Sequence, residues 1–502
     1  MSRGWVRTIL LALCCGMAVD GAMVASAAPA SGAAGIGRRS SNARQAVSHC
    51  SGSCASDIIL YDASPFFFAL GGRNGFAAIQ TRLPAIAALG ANAILLSPVT
   101  AASPADFGYA VTDDLRLRTR FGSASQLRSL VSAAHSMGLR VLLDMAANHL
   151  SDQSPYYRDA QRLGQKSRYY NWFERDGSGR PVHYFDWTNL ENLNYDDPAV
   201  RNYMLAAFSY WVTHYHVDGF RADAAWAVRQ RDPSFWPMLR ARLTRIDPNI
   251  ILIAEASGRD GYYVTHGFDA AYDWTSRLGQ WAWDGVFVPA GGVPDLARLR
   301  AALTNGGRGY PEHALLLRFL DNNDTGERFI TRYGVGETRA AIELLFTLPG
   351  IPLIYDGEEV GAAFQPYDEG PPITWRDRDG LTPLYVRMSR ERRRVPVLTS
   401  PRLQLLDTDH DAEVLAFLRP GSGDETKALI ALNFSRAPVR VRLHGTLALA
   451  DFSQARADDL ATGRHWRVAL PDEVLALPPY SGVIVLAEVR SQPARAPTRA
   501  SR

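Results

Sequence analysis

Lysine is almost missing from this 502-residue chain: Lys166 and Lys427 stand alone among 54 basic side chains, the rest being arginine. We attribute that skew to genomic composition rather than to function. An excess of one charge is missing too. The formal net charge is only +3, which gives no electrostatic footing for a nucleic-acid or anionic-membrane partner. The apolar run with most claim to a membrane is N-terminal, Ile9 to Ala18, and Asp20 and Gly21 break it. It falls short of the roughly 20 apolar residues of a spanning helix, so integral membrane association is not expected. Arg3 and Arg7 precede this run and Ala25-Ser26-Ala27 follows it, the form of an export signal over 1–27. The expected location is therefore secreted or periplasmic. Leu13-Cys14 would suit a lipoprotein, but the apolar core ahead of that cysteine is very short.

Cysteine is scarce as well. Loss of the signal would remove Cys14 and Cys15 and leave Cys50 and Cys54. In an oxidising compartment that spacing favours a small local disulfide. A zinc site using His49 would want about four ligands, and the remainder are not nearby.

What is present suits a large folded protein. Hydrophobic residues make up 47% and charged residues 21%, enough for a sizeable core and a second domain. Residues 28–55, rich in Ala, Ser, Gly and Arg, read as a flexible leader, and 491–502 as a disordered tail. Between them, 56–380 alternates short apolar runs with helical patterns. Strands are predicted at Ile58 to Tyr61, Ala93 to Leu96, Arg140 to Asp144, Val217 to Arg221, Ile250 to Glu255, Phe268 to Tyr272, Ala314 to Leu320 and Pro352 to Tyr355. Gln126 to Met137 puts Leu127, Leu130, Val131 and Ala134 on one helical face. Asp197-Pro198 supplies a cap and first-turn proline for a helix running to Trp211. Eight strands alternating with helices fit an α/β fold, the (β/α)8 TIM barrel. A doubly wound sheet would not by itself put polar residues at so many strand ends. From 381 to 490, short runs such as Val414 to Leu418, Leu429 to Phe434, Val439 to Leu443 and Val483 to Leu486 predict a C-terminal antiparallel β-sandwich.

In a barrel, reactive groups gather where strands meet the following loops. Apolar runs end here in Asp144-Met-Ala-Ala-Asn148-His149, Gly219-Phe-Arg221-Ala-Asp223, Ile253-Ala-Glu255 and Phe319-Leu-Asp321-Asn-Asn-Asp324. Charges beside buried strands are costly unless paired. Carboxylates converging from several strands, with an arginine among them, suit an acid–base pair or a metal cluster. Each motif alone is weak, since an Asp after a strand is more often a helix cap than a catalyst. Order, spacing and strand context together are far more specific.

Those segments, in that order, resemble the α-amylase family, glycoside hydrolase family 13, over roughly 56–490. Gly108-Tyr109, Phe121-Gly122, Leu193-Asn194 and Tyr355-Asp-Gly-Glu-Glu359-Val-Gly361 agree with it. The resemblance implies a retaining hydrolase acting on α-glucans or malto-oligosaccharides, with Asp223 as nucleophile and Glu255 as acid/base. Asp324 would hold sugar hydroxyls and support the transition state. Arg221 would keep Asp223 ionised, while Glu255 needs a raised pKa to stay protonated near neutrality. Tyr109 would stack under the sugar, and Asp144 and His149 would shape its pocket. Acid and nucleophile of a retaining enzyme lie about 5–5.5 Å apart.

Two departures stand out. The family usually carries His where this chain has Asn323; an amide can donate to a sugar hydroxyl but carries no charge. Asp223 is followed by Ala224-Ala225-Trp226, where many endo-acting amylases have Lys-His. Trp226 suits stacking on a leaving-side glucose, or equally a core position at a helix start. The insert at about 150–197, holding Tyr156, Tyr157, Tyr169, Trp172, Phe185 and Trp187, corresponds to domain B, which in the family often binds calcium through the residue matched by Asn148. No cofactor is required for the chemistry. Calcium would need six to eight oxygen ligands, and the others cannot be picked from sequence. An exo-acting α-glucosidase, a transglycosylase or a sucrose-active enzyme of the same family is the alternative function. A non-catalytic binding or scaffold protein is disfavoured by Asp223, Glu255 and Asp324. Endo against exo action, chain-length preference and oligomeric state stay open at this stage.

Overall fold

The computed structural model describes residues 55–69, 72–104, 106–289, 292–363, 372–421 and 426–487. The expected export signal, nearly all of the leader, Cys50, Cys54 and the C-terminal tail lie outside these residues. Eight parallel strands close a barrel: β1 (Leu60–Ala63), β2 (Ala93–Leu96), β3 (Arg140–Ala146), β4 (Gly219–Asp223), β5 (Ile251–Ser257), β6 (Ala270–Tyr272), β7 (Leu316–Arg318) and β8 (Ile351–Ile354). Each pairs with its sequence neighbours, and β1 with β8 completes the ring. All eight predicted strands are found.

Strand period and register together position the site. Successive side chains of β4 alternate between faces. Phe220 meets Phe208 on the outer helix Pro198–Tyr215, with ring centroids 4.8 Å apart. Arg221 and Asp223 share the opposite face. Register sets Asp144 beside Arg221 and Ala146 beside Asp223, while Ile253 of β5 pairs with Arg221. Gly219 is required by crowding, because a Cβ there would sit 2.3 Å from the carbonyl oxygen of Ile251.

The predicted helices form with their caps. Ala124–Ser136 starts at a capping box of Ser123 and Gln126. Asp197 accepts from the N–H of Ala199 at 2.8 Å, and that helix continues past Trp211 to Tyr215. The insert after β3 carries the helix Pro155–Leu163 and a small antiparallel sheet of His149–Ser151, Trp187–Asn192 and His183–Tyr184. Tyr156, Tyr169 and Trp172 pack together with Tyr203 of the helix Pro198–Tyr215; Trp172 and Tyr157 are core, with Tyr156 and Tyr169 partly buried against it.

The expected start of the β-rich region at 381 needs correction. Leu381–Arg394 is a helix packed on helices Val335–Thr347 and Gly75–Leu89 of the barrel's outer ring. Its Leu381, Leu384, Tyr385 and Met388 are buried, and so is Arg392, so the run of arginines at its end crosses both faces and disguised the period. Strands begin only at Gln404. A six-stranded antiparallel sheet then faces a two-stranded one, Val439–Val441 with Leu475–Leu477. Leu429, Ala431, Val483 and Val485 face the small sheet's core. Ala428, Ile430, Leu432 and Ile484 join the barrel's core instead. Burial on both faces explains why these strands read as unbroken apolar runs. Among the described residues, no helix is long and apolar enough to cross a membrane.

Candidate active site

Four strand ends and two loops, one before Val111 and one after β7, converge at the C-terminal mouth of the barrel. Arg221, 1% exposed, is the hub. Its Nη1 donates to Asp144 Oδ1 at 2.8 Å and to Asp223 Oδ1 at 2.8 Å. Its Nη2 pairs with Glu255 Oε2 at 3.1 Å, and its Nε donates to the hydroxyl of Tyr272 at 3.0 Å. One guanidinium thus contacts both Asp223 and Glu255, through its Nη1 and Nη2.

Three carboxylates share one cation in a dry site, and Asp324 lies close enough to add its charge. The balance favours a neutral carboxyl in the cluster. Burial pushes the Glu255 carboxyl well above its usual range, with Asp223 and Asp324 adding to the rise against Arg221 and the Ala224 amide. Burial also raises Asp144, against the pull of Arg221. Asp324 is the most exposed of the four acids, at the cleft surface after β7.

Tyr109 bridges the other side. Its hydroxyl donates to Asp144 Oδ2 at 2.8 Å and accepts from Asn323 Nδ2 at 3.1 Å. His149 is buried, and burial lowers its pKa, so it is neutral near pH 7. Its Nε2 lies 3.0 Å from the carbonyl oxygen of Tyr109 and its Nδ1 3.1 Å from Asn148 Nδ2. A carbonyl only accepts and an amide nitrogen only donates, so Nε2 carries the proton. Both nitrogens are engaged by protein, which makes His149 a pocket wall rather than a hydrogen-bonding group.

The sequence reading missed Tyr184 and Tyr272. Tyr184 stacks on His149 at 5.1 Å and 29°. Its hydroxyl is pushed far up by burial, then by the charges of Glu255, Asp223 and Asp324, which puts it at the heart of the site. Tyr272 ends β6, where reactive groups of a barrel collect, and that position was the available signal. Trp226 is half-buried and lies 6.1 Å from Tyr184 and 5.7 Å from Phe185. It joins an aromatic wall at the cleft mouth with Phe185 and Trp187, both exposed.

The residues gathered here are those of the segments quoted from the sequence, and the family comparison agrees. The family model described as the α-amylase catalytic domain matches residues 65–397. The chain belongs to the α-amylase family. Among relatives, α-amylase MalA of Haloarcula japonica is 30% identical over 399 residues, covering 78% of this chain and 57% of that protein. Neopullulanase 2 of Thermoactinomyces vulgaris is 31% identical over 357 residues, 67% of this chain and 59% of that one. The chain therefore spans just under three-fifths of the length of these relatives. An acarbose complex of Geobacillus thermoleovorans α-amylase shares the fold, with TM-score 0.71 and 21% identity over 86% of this chain and 98% of that one.

Membership of the α-amylase family raised the question of calcium at Asn148. The residues present do not fit it. Asn148 Oδ1, the atom a metal would need, accepts from Arg231 Nη1 at 2.6 Å. The neighbouring carboxylate of Glu174 accepts from Arg231 Nε at 2.8 Å. One guanidinium thus already holds both of these oxygens. Among the described residues, no group of three or more His, Cys, Asp or Glu is disposed to hold a metal.

Proposed function

We propose that this amylase-family hydrolase is an exported, retaining enzyme that cleaves α-linked gluco-oligosaccharides and short glucans by double displacement. One observation carries the reading: a single guanidinium, Arg221, spans Asp223 and Glu255. Asp223 attacks the anomeric carbon as Glu255 gives its proton to the glycosidic oxygen, and that C–O bond breaks. A glycosyl ester of Asp223 remains. Glu255, now a carboxylate, takes a proton from water, whose oxygen attacks the same carbon and releases Asp223. Two inversions restore the α-configuration. Burial of Glu255 suits the donor role, because a carboxyl with a raised pKa is still protonated near neutrality. Asp324, Tyr109, Asn323 and Asp144 line the side where the sugar undergoing reaction would sit. Trp226 follows soon after Ala224, whose amide contacts Glu255, so the aromatic wall suits the leaving-side sugars of a chain.

The arginine-apolar-small pattern over 1–27 supports export, and the names of the relatives support α-glucans as the substrate class. Soluble starch, pullulan, cyclodextrin, maltose and sucrose should be tested side by side with products separated by chain length. Proton NMR of the first-formed sugar should show the α-anomer. A β-anomer would overturn the mechanism, and no cleavage of any glucan would overturn the substrate class.

A further inference from the structure

We propose that Arg231 is a resident cation that clamps the insert after β3 onto the element carrying Asp223, so that the cleft keeps its shape without bound metal. The clamp is a closed ring of four side chains. Arg231 closes the helix Ala225–Arg231, which begins two residues after Asp223. From there Nη1 donates to Asn148 Oδ1 at 2.6 Å and to the carbonyl of Ala227 at 3.0 Å, while Nε donates to Glu174 Oε2 at 2.8 Å. Asn192 Nδ2 donates to the same Glu174 oxygen at 3.2 Å, and Asn192 Oδ1 accepts from Asn148 Nδ2 at 3.2 Å. Three parts of the chain meet there: the loop after β3, the insert and the helix after β4.

Arg231 acts through Asn148. A guanidinium only donates, so it obliges the Asn148 oxygen to face it and turns the amide nitrogen toward His149 Nδ1. That leaves the His149 Nε2 proton for the carbonyl of Tyr109, whose hydroxyl meets Asp144 and Asn323. Arg231 is thus a positioning residue for the sugar-facing wall. Lysine would match it only in part, because one ammonium lacks the fixed fork that reaches two elements at set angles. Asn148 is fully buried and Asn192 nearly so, which leaves their amides dependent on these partners.

The test uses the full chain. Exhaustive treatment with EDTA, then millimolar calcium, should leave the wild-type Tm and KM unchanged. Arg231→Met should raise KM for maltotriose about tenfold with a smaller change in kcat, and chymotrypsin should cut within 150–192 faster. Arg231→Lys should restore part of both. The thermal and proteolytic readouts need no substrate, so failure here is distinguishable from failure of the proposed activity. If chelation lowers the wild-type Tm by about 5 °C or more and calcium restores it, the resident-cation reading is overturned whether or not Arg231→Met folds. A folded Arg231→Met with wild-type KM and protease resistance overturns it too.

Discussion

The main-chain N–H of Ala224 donates to Oε2 of Glu255 at 2.6 Å, tying β5 to the peptide unit that directly follows Asp223. Ala224 makes that bond from a left-handed conformation, φ 46° and ψ 39°, which costs an L-residue roughly 1–2 kcal/mol. Strain of this kind collects at functional sites, where the surrounding structure enforces it. Here it aims an amide at Glu255 while Arg221 holds the other edge of the pair.

The proposed mechanism gives the two acids different chemistry. Asp223→Asn and Glu255→Gln keep the side-chain shape and remove the proposed nucleophile or the proposed proton donor. Each should lower kcat/KM on maltotriose by about 10²–10⁴ with unchanged circular dichroism. An aryl α-maltoside whose phenol leaves without a proton should recover bond cleavage in Glu255→Gln and not in Asp223→Asn. Near-wild-type turnover by folded Asp223→Asn would remove the assignment.

Around the C-terminal ends of β1 and β8, Tyr61 donates to Glu359 Oε1 at 3.0 Å, and the N–H of Ser64 donates to Asp356 Oδ2 at 3.0 Å. Burial raises both carboxyls from the ordinary carboxylate range, each to about 7. The folded chain therefore holds protons that the unfolded chain has released, and stability falls as pH rises from about 4 to 7. The slope is at most about 1.4 kcal/mol per pH unit for each group. Thermal melts should give a higher Tm at pH 5 than at pH 8. Glu359→Gln, which still accepts from Tyr61 but cannot titrate, should flatten the decline. Equal slopes for variant and wild type would exclude Glu359 as a source.

Phe185 is 58% exposed with φ 52°, an arrangement with little to offer stability. Its ring, with Trp226 and Trp187, suits the flat face of a second or third glucose. Phe185→Ala should raise KM for maltotetraose five- to tenfold, about 1–1.4 kcal/mol. Tm should change little, and hydrolysis of an aryl α-glucoside, which has no sugar there, should be unaffected. An equal loss on both substrates would place the ring elsewhere in the reaction.

The barrel was legible because an apolar run ending in a charged residue is a strong pattern when repeated. Predicted strands nevertheless began early at Ile58, Val217 and Phe268, where pairing starts at Leu60, Gly219 and Ala270. Those leading residues are buried without being paired, and an apolar pattern reports burial. The roles of Arg231 and Tyr184 were illegible for another reason. Arg231 acquires its meaning from Asn148, 83 positions away, and Tyr184 from carboxylates on other strands. A carboxylate at a strand end announces itself, whereas a tyrosine there reads as another apolar strand residue and an arginine at a helix end looks like a favourable charge on the helix dipole.

Asn323 tests the departure from the family at its sharpest. Its amide donates to the hydroxyl of Tyr109 at 3.1 Å, and that hydroxyl donates to Asp144. The side chain therefore sits on the polar chain that runs through Tyr109 to Asp144, on the proposed sugar-facing side. A histidine there would titrate from an unperturbed pKa of about 6.5, while asparagine donates equally at every pH. The alkaline limb of kcat/KM should then report chiefly Glu255, whose proton burial retains past the usual carboxylate range. Asn323→Ala should cost about 1–3 kcal/mol of transition-state stabilisation, the value of one hydrogen bond in a charged network. Asn323→His should stay active and add a titration at or above the unperturbed imidazole value, because carboxylates such as Asp144, Asp223 and Asp324 favour the imidazolium and hold its proton more tightly. Measuring kcat/KM for both variants across pH decides between a working amide and a turn residue. If Asn323→Ala folds and keeps full activity at every pH, the amide neither holds Tyr109 in place nor contacts sugar.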